Sequence, residues 1–61
     1  MREVVYKGKE YLTRLPFRKD LFWDLKNKIP MYPLLIISTE TGEMMEVEVQ
    51  YLTLKEDTLL N

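Results

Sequence analysis

Neither cysteine nor histidine occurs anywhere in this chain of 61 residues. No disulfide can staple it, and no zinc site built from thiolate and imidazole can hold it. A domain of this length buries only about 60% of the surface its unfolded chain exposes. Small proteins commonly offset that shortfall with cross-links, a metal or a partner subunit. With the first closed and the second narrowed, the apolar side chains must pack closely, or the chain must associate, or both. An apolar fraction of 46% suits a globular domain rather than a disordered one. Residues 1–61 are therefore read as one domain with no cofactor.

Periodicity divides the chain into elements. Val4-Val5-Tyr6 and Tyr11-Leu12-Thr13 are β-branched and aromatic runs separated by Lys7-Gly8-Lys9-Glu10, which predicts a hairpin over 3–15. A two-residue loop at Gly8-Lys9 would set Lys7 opposite Glu10, Tyr6 opposite Tyr11, Val5 opposite Leu12 and Glu3 opposite Arg14, each a favourable pair type. Pro16 ends the second strand. Leu21, Leu25 and Ile29 then recur every four residues with Phe22 beside them, predicting a helix over 18–28 that turns its leucines inward. Asp20 in the first turn and Lys26 and Lys28 in the last suit the helix dipole. Asp24 and Lys28 form an i,i+4 pair, and Pro30 bars continuation.

After the connector Met31-Tyr32-Pro33, the run Leu34–Ser38 reads as a strand buried on two sides. Thr39–Glu43 is a turn in which Gly42 takes the left-handed position. Met45, Val47, Val49 and Tyr51 then alternate with Glu46, Glu48 and Gln50. Leu52 and Leu54 fall on the formerly polar face, so a bulge, a bend or a second buried surface is required there. The second hairpin spans 34–54, and 55–61 is a tail in which Leu59 and Leu60 are candidates for docking.

The expected fold is α+β: a ββαββ order, with a four-stranded, mostly antiparallel sheet carrying one helix on one face. With the first and fourth strands parallel in the centre and a right-handed crossover, that arrangement is β-grasp-like. The alternative is a small SH3-like barrel with a helical insertion, suggested by the short first hairpin.

The composition argues against an enzyme. The commonest bases and nucleophiles near neutral pH are absent, Ser38 is the sole serine, and the two glycines are too far apart for a phosphate loop. No apolar run approaches the about 20 residues that span a bilayer. The opening residues lack the apolar stretch of a secretion signal. The expectation is a cytoplasmic protein without a membrane partner.

Charge is uneven. Residues 1–30 carry eight basic and four acidic side chains, and residues 31–61 carry one basic against six acidic ones. Such asymmetry marks either a partner surface or halves that interleave and neutralise each other. With leucines inward, Trp23 points outward near Lys19, Lys26 and Asn27. The leading expectation is a small protein-interaction module, self-associating or binding another protein, with Trp23, Lys19, Lys26, Asn27, Leu52 and Leu54 in the contact. A second is binding of single-stranded nucleic acid, with the indole stacking on bases beside lysines. A third is an acidic decoy: Glu43, Glu46 and Glu48 line a strand about 7 Å apart per two residues, like phosphates along a DNA strand. The ordinary reading of that strip is a solvated face that guards against aggregation.

Overall fold

The computed structural model describes residues 2–14 and 19–56, with the backbone alone for Lys19 and Asp20. In chain order the elements are β1 (Arg2–Tyr6), β2 (Lys9–Thr13), α1 (Lys19–Lys28), β3 (Pro33–Ser38), β4 (Met44–Glu48), a single 3-10 turn (Val49–Tyr51) and β5 (Thr53–Leu54). The class is α+β, with one helix and an open five-stranded sheet in the order β4-β3-β2-β1-β5. Every pairing is antiparallel.

This order replaces the expected β-grasp-like arrangement. β1 lies between β2 and β5 rather than parallel to β4, and β2 and β3 are neighbours in the middle of the sheet rather than its edges. The expected four-strand count missed that the second hairpin breaks. After Glu48 the chain makes the 3-10 turn, which reverses its phase and lets Leu52 and Leu54 face the same core as Val47. That turn is the bend the leucine phase change demanded, and it sends β5 across to β1.

The first hairpin turns at Lys7-Gly8, with φ of 51° and 77°. A loop with positive φ at both central residues matches the right-handed twist of its strands. Glycine therefore takes the second loop position, not the first. The register becomes Tyr6 opposite Lys9, Val5 opposite Glu10, Val4 opposite Tyr11 and Glu3 opposite Leu12, two residues from the expected one. A shift of two preserves which face each side chain occupies. Tyr6 and Tyr11 are now diagonal neighbours and still meet edge to face, 6.1 Å between centroids.

In the second hairpin Gly42 has φ of 75°, as expected. Its N–H donates to the Ser38 carbonyl at 3.0 Å, and the Ser38 N–H donates to the Glu43 carbonyl at 2.8 Å. Ser38 Oγ accepts from the Glu40 and Thr41 N–H groups, each at 3.2 Å. The sole serine is thus occupied in shaping a turn.

The core lies on one face of the sheet. Val4, Tyr11, Leu34, Ile36, Val47, Val49, Leu52 and Leu54 fill it, and α1 contributes Phe22. Burying such a side chain is worth about 1.5–3 kcal/mol. The helix ends where Ile29 donates the last turn's bond to Leu25 at 2.8 Å and Tyr32 donates to Ile29 across Pro30 at 3.0 Å. Beyond it, the Val49 and Gln50 N–H groups bond to the Tyr32 and Pro30 carbonyls, tying the helix exit to the 3-10 turn. Pro16 and Arg18, together with Leu59 and Leu60 of the expected tail, lie outside the described residues.

Candidate interaction surface

Helix α1 positions the candidate residues, and its orientation departs from the expected one. Phe22 is fully buried and Lys26 half-buried, whereas Leu21 is 44% and Ile29 51% exposed. At 100° per residue, the inward direction has turned by roughly 60° away from the Leu21–Leu25–Ile29 stripe, toward Trp23 and Lys26. Aromatic area explains the turn. Phe22 buries wholly and Trp23 partly, which outweighs two leucine-sized side chains left half in water.

Trp23 is consequently a flank residue, 37% exposed. It meets Phe22 edge to face at 6.1 Å. The Lys26 ammonium sits 5.1 Å from the indole centroid and 5.9 Å from the Phe22 ring. Lys26 Nζ also donates to the Leu52 carbonyl at 2.6 Å, so this cation fastens the helix to the end of the 3-10 turn. Asn27 is exposed. The side chain of Lys19 lies outside the described residues.

Leu52 and Leu54, expected in a partner contact, are fully buried in the chain's own core. The phase change that suggested a second surface is absorbed by the 3-10 turn. They are removed from the candidate surface, while Trp23 and Asn27 remain accessible.

What takes their place was read as core in the sequence. Leu21, Asp24, Leu25, Lys28 and Ile29 line an open groove of about 280 Å³ along the outer side of α1. Its walls are apolar, with Asp24 and Lys28 at the margin. These two charges, one turn apart, make no ion pair with each other among the described residues, contrary to the expected i,i+4 pair. Met31 and Tyr32 continue the exposed apolar surface past Ile29. The signal for this strip was present as the four-residue leucine repeat; Leu25 packs against the core as expected, whereas Leu21 and Ile29 do not.

Elsewhere charged side chains of the two halves meet. Lys55 Nζ lies 2.9 Å from Glu10 Oε1 and 3.2 Å from Glu3 Oε2. Those hydrogen bonds, to Glu10 first and Glu3 second, raise the Lys55 pKa above its ordinary value. Arg2 stands 3.8 Å from Glu56. Among the described residues no group of three or more acidic side chains is placed to hold a metal ion, and no helix is long and apolar enough to cross a membrane. Comparison with models of known protein families, with curated proteins and with solved structures finds no match.

Proposed function

We propose that this chain is a small, non-catalytic protein-interaction module that self-associates, α1 of one copy packing antiparallel against α1 of a second. The observation that carries this reading is the apolar strip Leu21–Leu25–Ile29, in which Leu21 and Ile29 are exposed and Leu25 half-buried, with Asp24 and Lys28 beside it. The strip is nearly palindromic. A two-fold axis near Leu25 brings Leu21 over the second copy's Ile29, and it sets Asp24 beside the second copy's Lys28 and Lys28 beside its Asp24. Such an isologous contact satisfies every member of the strip with one surface. A chain of this size, without cross-links, gains from the added burial.

In the same reading the fold is the SH3-like alternative. A meander whose last strand follows a 3-10 turn and returns to β1 supports it over the β-grasp-like one, and α1 is then the insertion between β2 and β3. Nucleic-acid stacking at Trp23 draws less support, because the neighbouring Lys26 ammonium is already bonded to Leu52. The acidic decoy is weakened because Glu43 precedes β4 and alternates out of phase with Glu46 and Glu48.

Sedimentation tests the proposal. The wild-type chain is expected at twice its 7.4 kDa mass. Asp24→Lys alone and Lys28→Asp alone each set like charges across the axis and shift the protein toward the single chain. An equimolar mixture of the two variants restores the dimer, because only the mixed pair matches charges. A wild-type protein that sediments as 7.4 kDa at every concentration, or a mixture that stays monomeric, defeats the reading.

A further inference from the structure

The two edges of the sheet are unlike. β5 is two residues long, a common way of blunting an edge. β4 runs for five residues, Met44–Glu48, in unbroken register with β3 from Ile37–Met44 to Pro33–Glu48. It has no proline, no bulge and no lysine.

The backbone polarity of β4 follows from its flanking bonds. Ser38 donates to the Glu43 carbonyl, and Val49 donates to the Tyr32 carbonyl. In an antiparallel ladder bonded residues recur every two positions, so Glu43, Met45, Val47 and Val49 bond toward β3. The N–H and C=O groups of Met44, Glu46 and Glu48 point away from the sheet. Their side chains share the face opposite the core, where Met44 is 61% exposed and Glu46 is exposed. On the other face Met45 and Val47 pack against the core.

We infer that the β4 edge accepts an extended peptide as a sixth strand, and that this peptide alternates apolar with basic residues. Main-chain bonds to Met44, Glu46 and Glu48 supply the pairing, as in strand addition generally. Alternation supplies the sequence preference: one set of side chains lies beside Met45 and Val47, and the other meets Glu46 and Glu48. The charge pattern also sets the partner apart from a second copy, because antiparallel pairing of β4 with itself about Glu46 would face carboxylate against carboxylate. The edge thus disfavours that centred self-pairing and matches a cationic strand. This inference stands apart from the helix-mediated dimer and uses none of its residues.

The probe is a capped seven-residue peptide alternating lysine and valine, with a glutamate-valine peptide as its counterpart. Added to the isotopically labelled protein, the lysine peptide is expected to protect the Met44, Glu46 and Glu48 amides from hydrogen exchange. Its affinity falls about tenfold in the Glu46→Lys/Glu48→Lys variant, which in turn binds the glutamate peptide. Glu46→Pro removes one outward N–H and leaves the β3 bonds intact, so it abolishes binding without unfolding the sheet, as the β3 amides report. Asp24→Lys leaves all of this unchanged. Absence of protection at those three amides overturns the inference, and so does binding indifferent to charge reversal or to the proline.

Discussion

Thr13 is fully buried on the core face of β2, and its hydroxyl has no hydrogen-bond partner. A buried polar group without a partner costs about 1–3 kcal/mol. Replacing that hydroxyl with a methyl group removes the cost at almost the same volume. Thr13→Val is therefore expected to stabilise the protein by about 1 kcal/mol, read as a higher urea midpoint at unchanged slope; a lower midpoint would mean that the hydroxyl does useful bonding. Lys55 acts in the opposite sense, since it satisfies two carboxylates at once. Its folded pKa is raised above the ordinary 10.5 by bonds to Glu10 and then Glu3. A raised folded value means that the stabilisation is fully present below pH 10.5 and fades as pH climbs through the folded pKa. Lys55→Met is expected to lower the melting temperature at neutral pH and to flatten its decline in the alkaline range. An alkaline limb as steep as that of the wild type would separate Lys55 from that transition.

Among the elements, α1 shows how far periodicity reaches. The existence of the helix and its end at Lys28 are legible in the leucine spacing, the terminal lysines and Pro30. Its rotation is not, because a wheel counts apolar positions equally while burial weighs their area. Phe22 and Trp23, adjacent and aromatic, pull the inward face toward themselves, and Leu21 and Ile29 become surface. In the single-chain Asp24→Lys background, Phe22→Ala is accordingly expected to cost about 3–5 kcal/mol, whereas Leu21→Ala stays within about 0.5 kcal/mol; chemical denaturation of both variants checks this. Equal costs would return Leu21 to the core. The first hairpin carries the same lesson on a smaller scale. Gly8 marked the turn, but the position of glycine within it was ambiguous, and only the positive φ of Lys7 fixes the register. For the second hairpin, Gly42 and the Leu52–Leu54 phase change announced the turn and the bend. The destination of β5 lay beyond any local pattern.

At the scale of the molecule, the ion pairs that join the two halves leave most of their uneven charge in place. Glu3 and Glu10 from the acidic minority of the first half meet the single lysine of the second, and Arg2 approaches Glu56. Of these contacts, Arg2–Glu56 alone joins the basic excess of one half to the acidic excess of the other. Glu46 on the β4 edge and Asp24 and Lys28 on the helix are among the exposed charges open to association.

The pairing of β5 with β1 also governs when this protein can fold. Val4 pairs with Leu54, and Glu3 bonds Lys55 across 52 positions of sequence. Of the described strands, β1 is made before all the others and waits for β5, which follows them. Until Leu52 and Leu54 emerge, Val4 and Phe22 lack the side chains that cover them, and one rim of β1 stays open. Nascent chains stalled before residue 52 are expected to be digested as readily as an unfolded polypeptide, and chains released through residue 56 to resist. Protection already present in the shorter chains would show that the hairpins and helix close without β5.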